Sequence, residues 1–415
     1  MLTPEKSSMT QKSIVMIGCF DTKSEDFTYL HNCLLEKGLS IISINTGILG
    51  TTDQFNIDIE AEVVAAATDI NLTELREKNH RGFAIEKMGQ GASIILADLI
   101  SQDKVSGVIG MGGGGGTYII LSAMQTVPLG IPKLCLSTLA TKDLSEKIGS
   151  KDILLMPSIV DVAGLNSISR LLISQAAGAV NGMIQSGQIE HTESAGSIAI
   201  SIFGNTTPCV DLCSSILKQD GFDVLTFHSV GVGGRTMESL IREGCFDAVL
   251  DITTTELADD LCGGICSAGP DRLTASSQIG IPQVVVPGCM DMVNFGTIDS
   301  VPSQYKSRLL YSWAPDVTLM RTNVEENSIL GQRIAQKLNQ STSEVCILLP
   351  LKGLSQISAE GGVFYDKEAD QALFHSIKKH ANDNIRIIEI DANINDRVFA
   401  EKSVEILLQM IRMQW

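Results

Sequence analysis

Short apolar runs alternate with amphipathic stretches along the whole of this 415-residue chain. In the first half the runs are Ile14–Gly18, Ser40–Asn45, Val105–Gly110, Lys133–Ser137 and Ile153–Met156. The second half supplies Ser197–Phe203, Asp223–Phe227, Ala248–Ile252, Gln283–Pro287, Val345–Leu349 and Ile385–Ile390. Near-continuous apolar character over such lengths predicts strands buried on both faces. Between them, apolar residues return every three or four positions. That period predicts helices over Ser24–Lys37, Arg81–Gln102, Tyr118–Val127, Asn166–Gln185, Met237–Glu243, Glu325–Leu338, Lys367–His380 and Asp396–Met413. Strand and helix in alternation imply an α/β fold with mainly parallel sheets.

The two halves echo one another. Gly130-Ile131-Pro132 and Gly280-Ile281-Pro282 each feed an apolar strand, and Ile17–Thr22 and Ile202–Thr207 each join a strand to a helix. The pattern predicts two Rossmann-like, doubly wound domains of related plan. Their expected bounds are a flexible start at 1–12, a first domain at 13–190 and a second domain at 191–415. The polar stretch from Gln188 to Ala195, which lacks periodicity, would link them.

In such sheets ligands sit beyond the carboxyl ends of the strands, so the strand-end loops carry the chemistry. The most informative loop is Gly112-Gly113-Gly114-Gly115-Gly116-Thr117, between an apolar strand and a helix. Five glycines leave a costly backbone unless close approach of a ligand requires it. Free N–H groups and the positive end of the next helix would hold a phosphate there. No Lys follows the run, so it is not a Walker loop, and any cation comes from elsewhere. After the first strand come Cys19, Phe20, Asp21, Thr22 and Lys23. Thr22 or Ser24 can cap a helix, whereas Lys23 opposes the helix dipole and implies a bound anion or an ion pair. Cys19 has no His near it in sequence and reads as a small half-buried thiol.

The second half carries another Gly-rich turn, Gly231-Val232-Gly233-Gly234-Arg235, then Asp251 to Asp260, Ser267 to Arg272, and Gly288 to Gly296. Arg235 and Arg272 would clamp an anion through bidentate guanidinium contacts. Asp251 or Asp291 would hold Mg²⁺ or act as a base, with Glu256 beside them. Arg235 can equally pair with Glu238, and Thr255 can simply cap a helix with Glu256 in its first turn.

Charge and composition narrow the classes. With 48 acidic against 31 basic residues the formal net charge is −17, which disfavours nucleic acid and anionic membranes as partners. No apolar run reaches the length of a membrane span, and the ten scattered cysteines suit a reducing cytoplasm. Two C-x-x-x-C pairs, Cys209/Cys213 and Cys262/Cys266, lack the second pair that a zinc site needs, so no metal ligands are assigned.

Taken together, Gly18 to Lys23, the glycine run to Thr117, Gly231 to Arg235, Leu250 to Ala258, Ser267 to Arg272 and Asp291 to Gly296 resemble one family. It is the family of the N-terminal ATP-binding domain of the tomato inhibitor of tobamovirus RNA replication, with its bacterial relatives. The resemblance implies two Rossmann-like subdomains, a homodimer, and ATP held near Gly18 to Lys23, Thr46-Gly47 and Gly112 to Thr117. Arg81, Ser137 and Thr138 are further candidates from the same region. The chain departs from the family in having no Ser within the glycine run, and Thr141-Lys142-Asp143 where Ser-Gly-Asp is frequent.

Two functions follow as expectations. One is an ATP-dependent enzyme acting on a small anionic metabolite in an inter-domain cleft. The other is an ATP-gated protein-binding module without turnover. An NAD-dependent oxidoreductase is disfavoured, because the acidic residue expected about 20 positions beyond the glycine loop is missing.

Overall fold

The computed structural model describes residues 12–186 and 194–414. The expected flexible start lies outside the described residues except for Lys12, and the expected linker lies outside them except for its last two residues. The chain forms two units, 1–190 and 191–415.

In the first unit the elements run β1 (Ser13–Gly18), α1 (Ser24–Leu35), β2 (Ile41–Asn45), α2 (Ala61–Ala66), α3 (Leu72–Glu77) and α4 (Arg81–Ser101). They continue with β3 (Val105–Gly112), α5 (Gly114–Met124), β4 (Lys133–Ser137), α6 (Ser145–Ile148), β5 (Ile153–Pro157) and α7 (Ser167–Gln185). The five strands form a parallel sheet in the order β2-β1-β3-β4-β5. Along β1, Val15 and Ile17 point into a core shared with α4 and α5, while Ile14 and Met16 point into one shared with α1 and α7. Both faces are therefore covered, as the unbroken apolar runs require.

The second unit holds β6 (Ser197–Ile202), α8 (Thr207–Gln219), β7 (Asp223–His228), α9 (Val232–Arg242), β8 (Ala248–Thr253), α10 (Glu256–Cys262), α11 (Ala275–Ile279) and β9 (Gln283–Gly288). After these come β10 (Met292–Phe295), β11 (Leu310–Ala314), β12 (Val317–Arg321), α12 (Val324–Leu338), β13 (Val345–Pro350), α13 (Lys367–His380), β14 (Arg386–Ile390) and α14 (Arg397–Gln414). Six strands form a parallel sheet in the order β14-β13-β9-β8-β6-β7. Read from β7, this repeats the first unit's order and adds one strand. An antiparallel sheet, β10-β12-β11, is inserted after β9. The fold is two doubly wound α/β units of related plan. Among the described residues no helix is long and apolar enough to cross a membrane.

Candidate functional site

The strands of the first unit end in line: Gly18 lies opposite Asn45, Gly112 opposite Ser137, and Ser137 opposite Pro157. From the neighbours β1 and β3 the chain winds outward in opposite directions, which makes their carboxyl ends the switch point of the sheet. A cavity of about 640 Å³ opens there.

Its floor is built from the loops after β1 and β2. Asn45 Oδ1 accepts the Phe20 and Gly47 amides at 3.2 and 2.9 Å, tying the two loops together. Asp21 accepts the Thr22 and Leu49 amides at 2.6 and 2.8 Å, so it clamps the β2 loop while also lining the cavity. A Cβ at Gly47 would stand 2.2 Å from Asp21 Oδ1, so that glycine exists for the clamp. Phe20 is wholly buried against Phe27 and Phe55, and a Cβ at Gly18 would collide with Phe27. Gly18 and Phe20 therefore shape the floor without reaching the cavity. The Cys19 thiol lies on the wall, 3.6 Å from Thr46 Oγ1. Burial, against the weaker pull of the Thr46 hydrogen bond, pushes it up, so it stays protonated at neutral pH and is no nucleophile.

The glycine run differs from a loop. Gly112 ends β3, Gly113 is the N-cap of α5, and Gly114, Gly115 and Gly116 form its first turn. None of the five has positive φ. A Cβ at Gly112 would press on the Gly116 backbone at 3.0 Å, and one at Gly115 would meet Ile85 at 2.8 Å. At Gly114 it would meet nothing within 4 Å, and at Gly113 and Gly116 only ordinary contacts at 3.8 and 3.9 Å. Neither backbone conformation nor packing explains three of these glycines, and all three line the cavity. Thr117 instead points inward: its hydroxyl meets Ser137 Oγ at 2.6 Å and donates to the Gly112 carbonyl at 3.2 Å. Thr117 and Ser137 brace β3 against β4, and Ser137 and Thr138 line a separate, neighbouring cavity.

Three helix N-termini reach the large cavity: α1 through Lys23, α4 through His80 and Arg81, and α5 through Gly113. Arg81 Nη2 comes within 3.8 Å of the position of a Gly115 Cβ, which sets a guanidinium over the start of α5. Arg76 donates to the Ile48 carbonyl and adds a third cation to the lining. Ile48, Leu75, Ala84, Ile85, Met88 and Ile119 add an apolar part to the lining. Arg76, Asn79, His80 and Asp161 were not legible as site residues. Asn79 and His80 lie in a polar turn whose visible job is helix capping, His80 Nδ1 accepting the Phe83 amide at 3.0 Å, whereas Arg76 lies within α3 and Asp161 between Val160 and Val162, where nothing in the sequence marks a site.

The second unit treats its equivalent switch point differently. Arg272 is fully buried and donates to both Asp251 oxygens at 2.6 and 2.7 Å, to Glu256 Oε2 at 2.6 Å, and to Glu238 Oε1 at 3.3 Å. Glu256 Oε1 accepts the Gly231 and Gly234 amides at 2.7 and 3.1 Å. The second Gly-rich turn thus receives its anion from the chain itself. A Cβ at Gly234 would stand 2.1 Å from Glu256 Oε2, and Gly231 needs its φ of +86°. The expected open cleft of Arg272, Asp251 and Glu256 is corrected to a closed internal ion network; buried charges are tolerated only when saturated in this way. Arg235 pairs with the Ser267 carbonyl at 2.9 Å rather than with Glu238, and remains exposed. Asp291 is also fully enclosed, accepting from Ser355 Oγ at 2.8 Å. Burial raises its pKa, against the opposing pull of Arg321, and its full enclosure keeps it out of contact with a substrate.

Fold and site define the class: a two-unit parallel α/β protein whose first switch point is open and whose second is filled by its own side chains. The chain belongs to the Uncharacterised protein family (UPF0261), with residues 12–188 matching its N-terminal domain and 196–411 its C-terminal domain. It is 42% identical over 401 residues to a UPF0261 protein of Clostridium tetani, covering 96% of this chain and 99% of that one. It is 35% identical over 419 residues to the ToMV susceptible protein tm-1(GCR26) of Solanum lycopersicum, covering 96% of this chain. The match spans 55% of that tomato protein. Among solved structures, the glycosyltransferase SnogD of Streptomyces nogalater aligns over 96% of this chain and 99% of its own at 10% identity. Its TM-score of 0.22 adds nothing to the fold, which rests on strand order and direction.

Proposed function

We propose that the first unit binds ATP in the cavity over β1, β2 and β3, and that the chain is an ATP-dependent enzyme. The observation that carries this reading is the bare first turn of α5. Gly113, Gly114 and Gly116 lack side chains that the protein's own packing would accept, at a helix N-terminus overlooked by Arg81. Such a turn offers free amides and the positive end of the dipole to phosphates. Lys23, Arg76 and Arg81 supply cations, and the apolar lining from Ile48 to Ile119 accepts a base. Among the described residues no three His, Cys, Asp or Glu side chains cluster to hold a metal, so Mg²⁺ would arrive on the triphosphate. A cytoplasmic, dimeric protein remains part of the proposal. A second reading, an ATP-gated binding module, draws support from the second unit, whose best acid and base candidates are sealed in an ion network.

Isothermal titration with ATP, with and without Mg²⁺, tests the site. One ATP should bind per chain, and Gly114→Leu should weaken binding tenfold or more, about 1.4 kcal/mol, without lowering the Tm. Equal binding by both proteins would remove the nucleotide from α5. Nucleotide consumption with a small-molecule acceptor, against none with any, separates the enzyme from the gated module.

A further inference from the structure

Beside the large cavity lies a second one of about 360 Å³, over the ends of β4 and β5. Ser137, Thr138, Thr141, Ser158, Ile159 and Asp161 are among the residues lining it, and Asp161 lines both cavities. Thr138 is also the nearest neighbour of the Gly113 position, at 3.8 Å, so the two cavities meet at the N-cap of α5. We propose that this second cavity is a subsite for a small, neutral, polyhydroxylated molecule such as a polyol or sugar, held next to the phosphate end of the nucleotide. The placement of its neighbour rests on the ATP reading; the subsite itself does not.

The chemistry of the lining selects that class. It contains no Lys, Arg or His, and its one charge is the Asp161 carboxylate, so an anion is repelled. Ser137 Oγ is engaged with Thr117 and the Leu139 amide, and Ser158 Oγ donates to the Val160 carbonyl at 2.6 Å. Among the described residues the Thr138 and Thr141 hydroxyls have no hydrogen-bond partner. Two free hydroxyls, each able to donate and accept, and a carboxylate acceptor match the hydroxyl groups of a polyol. At about 30 Å³ per water the volume accommodates roughly a dozen water-sized atoms, the scale of a sugar.

The loop that shapes the cavity carries an independent mark. Ile159 has φ +61°, in a tight turn closed by the Val160 amide on the Ser158 carbonyl at 2.6 Å. A β-branched residue is a true outlier there. Its side chain is 73% exposed, so burial does not offset the strain. Strained backbone of this kind clusters at ligand sites and clamps.

Methyl NMR of the full chain labelled at isoleucine tests this, because the two cavities have separate reporters. Ile85 and Ile119 read the nucleotide cavity and Ile159 reads the subsite. Glycerol, ribitol and glucose are titrated with and without Mg-ATP. At least one should move the Ile159 signal saturably at millimolar concentration, and Thr141→Val should weaken that response tenfold or more. Glycerol 3-phosphate should leave it unmoved. No response of Ile159 to any of the three would overturn the proposal, as would a response to glycerol 3-phosphate alone. If ATP moves Ile85 and Ile119 while the polyols move nothing, the subsite fails and the nucleotide site stands. The reverse pattern sinks the nucleotide reading and keeps the subsite.

Discussion

Gly114 sits in the first turn of α5 with open space where its Cβ would be. Glycine inside a helix costs about 0.5–1 kcal/mol against alanine, partly through the greater freedom of the unfolded chain. With no positive φ and no clash to justify it, Gly114→Ala should therefore stabilise the protein by up to about 1 kcal/mol. Urea unfolding checks this. A destabilised Gly114→Ala variant would mean the position is held by a folding constraint rather than by a ligand. The contrast with Gly234 is informative. There a Cβ would strike Glu256, so alanine should destabilise. Both residues belong to Gly-rich strand-to-helix turns and look alike as letters; only the atoms around each Cβ tell them apart.

At the scale of elements, α10 is the plug of the second unit. Its first turn carries Glu256, which meets Arg272, and Asp259, which accepts the Cys266 and Asn294 amides at 3.1 Å each. Arg272→Met strands Asp251, Glu256 and Glu238 in a dry interior without their cation. Breaking such a network costs about 3–5 kcal/mol, so the Tm should fall by many degrees. An unchanged Tm would return Arg272 to the list of ligand-binding residues. Asp259 offers a pH test. Burial, against the opposing pull of its Asn294 hydrogen bond, raises its pKa from 3.8 to about 7. Between these values the native state holds a proton that the unfolded state has released. This contribution to stability is complete below pH 3.8 and fades as pH rises through 7, by up to about 1.4 kcal/mol per unit. Asp259→Asn mimics the protonated form and should gain on the parent protein between pH 5 and pH 8 in urea unfolding. A pH-independent difference would show that Asp259 is ionised throughout. A proton on Asp259, with the Asn294 amide turned, would also give Asn294 Oδ1 the donor it lacks.

Across the whole molecule, the parallel strands were legible because burial on both faces leaves an apolar run with no alternation. Strands β10, β11 and β12 were not: β11, Leu310–Ala314, is largely exposed, with Tyr311 and Trp313 on its surface, and the buried β10 and β12 are short and carry the polar residues Asn294, Thr318 and Arg321. In the site, the glycine run and Lys23 were readable as backbone and charge anomalies. Arg272 was readable as a charged residue near others, but a one-dimensional pattern does not distinguish a clamp facing solvent from one closed on Asp251 and Glu256. The same scale sets the last prediction. A molecule of net charge −17 repels the anion that its Lys23, Arg76 and Arg81 cavity would hold. Long-range repulsion acts on encounter, whereas the cavity cations act at contact and are screened less. As ionic strength rises from about 0.01 to 0.1 M, the Debye length shrinks from about 30 to 10 Å. The association rate of ATP should accordingly increase over that range, as read by stopped-flow fluorescence of an ATP analogue. A rate that falls with salt would mean that the local cations dominate the approach, and that the acidic surface lies too far from the mouth of the cavity to matter.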